Sequence, residues 1–241
     1  ELLISDAYDE QTHTYRLTVS QSTPPTADQM EKVNLHIPLK IALYDAKGTK
    51  QMLQHNGELL SDVLNVTEKD QVFEFHGIYG RPIPALLCDF SAPVKLDYDY
   101  TTEQLLGLLK FADNQFARWD AAQMLFTQEL RRNVAHFQQG EAFDISPDIL
   151  TALAHVLENY EQDIELATLI LTLPKDIEFA ENFKTIDPDG ISAAREFMLV
   201  QIAEYLKEDL LRIYTHIRLE NYQVTQEDIA LRAMRNLCLS Y

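Results

Sequence analysis

Along the first hundred residues apolar positions recur every second residue, and from Thr101 onward they recur every third or fourth. A period of two sends alternate side chains to opposite faces of a strand, whereas a period near 3.6 lines them along one side of a helix. The change falls where Arg81 to Asp97 gives way to Thr101 to Lys110. The pattern therefore predicts a β module over residues 1–98 followed by an α module over residues 99–241.

In the first module Tyr15, Leu17 and Val19 share one face of a strand over 14–20. Leu35, Ile37, Leu39, Ile41 and Leu43 do the same over 34–44. Asp45-Ala-Lys-Gly48 closes the second strand into a hairpin returning over 49–53, with Gly48 free to take the positive φ that such a turn needs. Further strands are expected at 71–76, 83–90 and 94–98, with Pro82, Pro84 and Pro93 at edges or strand ends. Short strands at turn-punctuated intervals, with no helix between them, argue an immunoglobulin-like antiparallel β-sandwich.

The second module reads as helices with legible starts: a capping box at Thr101 and Gln104, a cap before Pro at Ser146-Pro147 and Asp187-Pro188, and Thr225 ahead of the last helix. Trp119, Ala122, Phe126, Leu130, Val134 and Phe137 form one stripe. Ile191, Ala194, Met198, Ile202, Leu206, Leu210, Ile213 and Ile217 form another. Phe116, Met124, Phe197, Val200, Tyr205 and Leu211 widen these stripes and predict helices covered on two sides, as in an all-α array of antiparallel helix pairs resembling a solenoid. The array is inferred from helix pairing, because no sequence repeat recurs at a fixed period.

With 46% apolar residues among 241, the chain can fill two ordinary cores. The net charge of −18 is shared, 8 basic and 15 acidic residues lying before position 101 and 12 and 23 after it. A field of that sign repels phosphate and anionic lipid, so nucleic acid and membrane surfaces are not expected partners. Cys88 and Cys238 lie in apolar runs of different modules and read as core thiols of a reducing, cytoplasmic protein. No run approaches the roughly 18 apolar residues that span a bilayer, and the start, Glu1 to Asp6, lacks the pattern of a signal peptide. A first residue other than Met suits an excised segment.

No spacing that performs chemistry stands out. The seven His, at 13, 36, 55, 76, 136, 155 and 216, never form the His-x-x-x-His pair that sets two ligands on one helical face. Asp187-Pro-Asp-Gly190 fits helix capping better than a calcium loop. The acidic run from Glu158 to Glu165 reads as a solvated connection between helices, and Asn65-Val-Thr67 as a strand end. Gly-rich phosphate loops, nucleophile elbows and Cys/His pairs are lacking. No catalytic, cofactor-binding or metal-ligating residue is assigned.

Several segments are nevertheless familiar: Leu35-His-Ile-Pro38 with Ala42-Leu-Tyr-Asp45, Val63 to Thr67, Pro84 to Leu96, and Phe116-Ala-Arg-Trp-Asp-Ala-Ala-Gln123. Leu171-Thr-Leu-Pro174, Ile186-Asp-Pro188 and Asp228 to Cys238 extend the match. Together they resemble the bacterial aminopeptidase N family, the alanyl aminopeptidases of the zinc gluzincin group. The resemblance implies a zinc enzyme that removes N-terminal residues from peptides, built of four domains in series. This chain resembles its third domain, the small β-sandwich, and the opening helices of its fourth. The family's His-Glu-x-x-His zinc signature and Gly-x-Met-Glu-Asn amine-binding loop are both missing here. A non-catalytic fragment is therefore expected, its sandwich a spacer and its helices part of the wall around the active-site chamber. No cofactor is expected on this chain, zinc being carried by the full-length enzyme. Its partners would be the catalytic domain of the same polypeptide, peptide substrates in the full-length enzyme, and a second copy through the last helix. The rival reading is an autonomous sandwich and helical scaffold that binds a peptide or protein. Trp119, flanked by Arg118 and Asp120, is expected to lock the first long helix in place, with an ion pair alongside.

Overall fold

The computed structural model describes residues 1–218 and 223–241, which fall into two compact units, Glu1–Arg118 and Trp119–Tyr241. The first contains strands β1 (Leu2–Asp9), β2 (Thr14–Gln21), β3 (Ile37–Tyr44), β4 (Gln54–His55), β5 (Glu58–Leu59), β6 (Val63–Val66), β7 (Asp70–His76), β8 (Ile83–Leu86) and β9 (Leu96–Asp97), then helix α1 (Thr102–Phe111). One sheet has the order β7-β2-β1-β9 and the second the order β6-β3-β8, while β4 and β5 form a small hairpin. Alternation decides which side chains fill the space between the sheets. Leu2, Ile4, Tyr15, Leu17, Val19 and Phe75 come from one; Leu39, Ile41, Leu43, Leu64 and Val66 come from the other.

The expected strand faces over 14–20 and 37–44 are the observed ones, with three adjustments. The second strand begins at Ile37, because Leu35 is half-exposed and its backbone N–H and carbonyl are held instead by the buried Gln21 amide at 2.8 and 2.9 Å. The turn at 45–48 forms, with Gly48 at φ 84° against Phe111, but residues 49–53 return only as a bridge from Lys50 to Tyr44. The strand expected over 83–90 stops at Leu86, where the chain enters a left-handed turn at Leu87, Asp89 and Phe90. The sandwich also contains one parallel pairing: β9, reduced to two residues, lies along β1 with Leu2 opposite Leu96. β1 itself escaped the reading because Ser5, Asp6 and Asp9 dilute its apolar alternation.

Central strand β3 is buried on both faces through Ile41, Ala42, Leu43 and Tyr44. One contact there is the Phe111 ring at the end of α1, centred 5.6 Å from that of Tyr44. Tyr44 Oη also pairs with Asp113, and Tyr100 Oη donates to Pro84 O on edge strand β8 at 2.9 Å. The capping box at Thr101 and Gln104 is present in full. The compact unit thus runs past the strand-to-helix change to Arg118, four residues into helix α2 (Gln115–Gln139).

The second unit holds the rest of α2 and helices α3 (Pro147–Glu158), α4 (Ile164–Leu171), α5 (Asp176–Ala180), α6 (Pro188–His216) and α7 (Gln226–Ser240). Asp187 caps α6 by accepting Gly190 N–H at 3.0 Å, and Thr225 caps α7 through Asp228 N–H at 3.2 Å. Asp163, within the acidic run, caps α4. Helix α7 packs on α4 and α6, and α3 on α4 and α6, so the pairs join helices both near and far in sequence; the whole α6 stripe from Ile191 to Ile217 is buried. Burial on two sides does not hold for α6: Val200, Tyr205 and Leu211 are 44, 53 and 60% exposed, so its outer face is open. The final helix likewise has a covered face, with Ala230, Met234, Leu237 and Cys238 buried against α4 and α6, and an open one carrying Ile229 and Leu239.

Cys88 and Cys238 are buried thiols, each pushed up to about 11 by desolvation, which suits packing rather than nucleophilic work. Trp119 is half-buried. Arg118 Nε donates to Leu109 O at 3.1 Å, and burial raises the Asp120 carboxyl.

Two consequences can be measured. Leu237→Lys places a charge in the packed face of α7 and should cost about 2–4 kcal/mol in urea unfolding, whereas Leu239→Lys, at a site 69% exposed, should change stability by less than about 0.5 kcal/mol. Burial pushes the Asp120 carboxyl up to about 6, so between its ordinary value of 3.8 and 6 the folded chain binds the extra proton, and stability falls as pH rises through that window. Asp120→Asn should therefore raise stability at pH 7.5 by roughly 1–3 kcal/mol, with the gain vanishing below about pH 4 in parallel thermal melts.

Candidate functional site

Four polar clusters concentrate what chemistry the chain has. At the end of β8, Leu87, Asp89 and Phe90 hold φ of 58, 56 and 50°, a region that non-glycine residues enter at about 1–2 kcal/mol each. The turn is pinned by Asp89, whose carboxylate accepts from Lys40 Nζ at 2.6 Å and Asn114 Nδ2 at 2.5 Å. Lys40, and after it Asn114, hold that carboxyl below its ordinary value. Asn114 Oδ1 in turn accepts Ala117 N–H at 3.0 Å, capping α2. Every polar group here already has a structural partner.

A cleft of about 850 Å³ in the first unit is lined by Asp6, Arg81, Tyr98, Glu103, Gln104 and Lys110, among others. Asp6, its side chain 9% exposed, takes both oxygens to Arg81 Nη2 at 3.0 Å. Burial, with the Asp6 charge second, pushes the Tyr98 phenol up to about 12. Burial drives Tyr15 further in the same direction. The Tyr98 phenol therefore stays protonated and the Asp6 carboxylate is paired, while Asp99 and Glu103 also line the cleft.

The second unit has a buried polar corner on α2. Asn133, fully buried, donates to Glu129 O at 2.9 Å and Asp144 O at 2.8 Å and accepts Asp144 N–H at 3.0 Å. Glu129 accepts from Arg132 Nη2 at 2.5 Å and Ser146 N–H at 3.3 Å, and burial raises its carboxyl. These bonds fasten the 140–146 connection to the helix and set up the start of α3.

The fourth cluster is the one that could hold a metal. His55, Glu74 and His76 bring one donor atom each within 4.8 Å of the others, the only such group among the described residues. Glu74 and His76 are two apart on β7 and so share a face; the β4–β5 hairpin lays His55 beside them, its ring 4.4 Å from that of His76. His55 Nδ1 lies 3.3 Å from Glu74 O, and Asn56 N–H points to His76 Nδ1 at 3.1 Å. Arg16, opposite Glu74 on β2, reaches Glu74 Oε1 through Nε at 2.8 Å and Nη2 at 2.5 Å. That guanidinium, more than the two imidazoles, lowers the Glu74 carboxyl. A scan for helical His pairs misses this group because 19 residues separate His55 from Glu74; the signal that remains is the shared face of Glu74 and His76 and the Asn56-Gly57 turn.

Residues 102–241 match the family described as a domain of unknown function (DUF3458_C) with ARM repeats, and residues 1–99 match the accompanying DUF3458 domain of Ig-like fold. The chain belongs to the DUF3458_C family. It is 87% identical over all 241 residues to aminopeptidase N of Haemophilus influenzae, of which it spans 28%. Over 238 residues it is 45% identical to aminopeptidase N of Escherichia coli, spanning 27% of that protein. Over 78% of its length it is 29% identical to aminopeptidase N of Caulobacter vibrioides. A solved structure titled Legionella pneumophila aminopeptidase A in complex with aspartic acid superposes with a TM-score of 0.80 over 99% of this chain and 27% of that one, at 24% identity, a likeness of fold. The resemblance read from Pro84–Leu96 and Phe116–Gln123 is thus matched by relatives named aminopeptidase N, and the chain corresponds to less than a third of each.

The Asn133 corner gives a direct test. Asn133→Ala removes the buried amide that holds the Asp144 backbone N–H and carbonyl, and should cost about 1–3 kcal/mol and expose the 140–146 connection to limited proteolysis.

Proposed function

We propose that the chain is a non-catalytic part of a zinc-dependent, cytoplasmic aminopeptidase N, the sandwich acting as a spacer and the helices as part of the wall enclosing the active-site chamber. The observation that carries the reading is identity of 87% across the entire chain to an aminopeptidase N more than three times its length. Two physical features support it. Asp89, Asp6 and Asn133 are each engaged in hydrogen bonds that hold local structure together. The open face of α6, with Val200, Tyr205 and Leu211, offers apolar surface to other parts of a longer polypeptide.

No His-Glu-x-x-His signature occurs in the 241 residues. This chain does not supply the zinc-ligand set that the resemblance implies, and no step of peptide hydrolysis is assigned to its residues. A wall of packed helices would limit entry to extended peptides and keep bulk water from the reacting carbonyl.

The isolated chain should release no nitroaniline from an alanyl nitroanilide, with or without added zinc. Enzyme-like turnover that co-purifies with the chain would refute the non-catalytic assignment. For the wall, a full-length enzyme bearing Asn133→Ala should lose discrimination between short peptides and a folded protein with the same N-terminus. Unchanged discrimination, with the helical unit shown to be loosened by proteolysis, would count against it.

A further inference from the structure

We propose that His55, Glu74 and His76 form a binding site for a first-row divalent transition metal of the Zn²⁺ or Ni²⁺ type. Two imidazoles and a carboxylate are a donor set suited to such ions, and here they come from two elements that the fold holds together. The site is positioned by backbone geometry. Glu74 and His76 stand side by side on β7, and the tight Asn56-Gly57 turn, with Asn56 and Gly57 at φ of 51 and 83°, returns the hairpin so that His55 stacks on His76.

The hydrogen bonds define which lone pairs are open. His55 Nδ1, 3.3 Å from Glu74 O, carries its proton toward that carbonyl and leaves Nε2 as the donor to a metal. Both Arg16 contacts fall on Glu74 Oε1, so Oε2 remains available, 4.0 Å from His76 Nε2. His76 accepts the Asn56 amide on Nδ1; ligation through Nε2 shifts its proton to Nδ1 and releases that exposed turn amide to water. A separation of up to 4.8 Å is wider than the roughly 3.4 Å between donors around a tetrahedral ion with bonds near 2.1 Å, so the side chains must close by up to about 1.4 Å. Glu74 and His76 are about one-third exposed, which leaves them room to do so. Arg16 opposes the ion, since its positive charge sits on the carboxylate that the metal would share.

The test is calorimetry of the 241-residue chain with Zn²⁺ and separately Ni²⁺, alongside the variants His55→Gln, His76→Gln, Glu74→Gln and Arg16→Gln, each checked for native circular dichroism. We expect one equivalent to bind with saturation at micromolar metal. Either His variant should weaken binding at least about tenfold, and Arg16→Gln should tighten it by releasing Glu74 Oε1. The absence of saturation at millimolar metal, or binding that both folded His variants leave intact, would overturn the site. Should one His variant misfold, the other and Glu74→Gln decide the matter: a folded variant with undiminished affinity refutes the assignment.

Discussion

The exchange between Asp89 and Asn114 is the contact on which the ordering of the first unit turns. Asp89 lies in a left-handed turn that ends edge strand β8, and its carboxylate meets Lys40, from the middle of β3. Asn114 returns the contact through its amide and with the same side chain caps α2. One carboxylate thereby connects the central strand, the edge strand and the first turn of a 25-residue helix. The strain at Leu87, Asp89 and Phe90 is held because alternatives to the turn would leave Lys40, Asp89 and the α2 cap to find separate partners. A similar economy operates at Asn133, where a fully buried amide fixes both the N–H and the carbonyl of Asp144.

Much of the fold was legible because strands and helices advertise their buried faces by period. Tyr15, Leu17 and Val19, and Ile191 through Ile217, lie on the faces that spacing assigns them. What escaped has identifiable causes. β1 is half polar, and its pairing with β9 is a nonlocal contact between the two ends of the sandwich. Ile83 to Phe90 has strand-like composition throughout, yet the left-handed turn after Leu86 depends on Lys40 and Asn114, far away in sequence. Stripe width overstated burial on α6, since Val200, Tyr205 and Leu211 are apolar and open.

The candidate sites follow the same division. Helix caps at Asp187 and Thr225 were readable because each bond spans three residues. The grouping of His55 with Glu74 and His76 was not, because it depends on strand register and on a hairpin laid across it. Aminopeptidase N character was readable from contiguous segments, where identity of residues rather than their geometry carries the information.

The chain has a single tryptophan, Trp119, and it is the first residue of the second compact unit. Half-buried at that position, it makes indole fluorescence an optical label for the start of the helical unit. The sandwich carries tyrosines but no indole, so its unfolding must be followed by other probes, such as far-ultraviolet circular dichroism. Disagreement between the two signals would show whether the units melt together or in sequence.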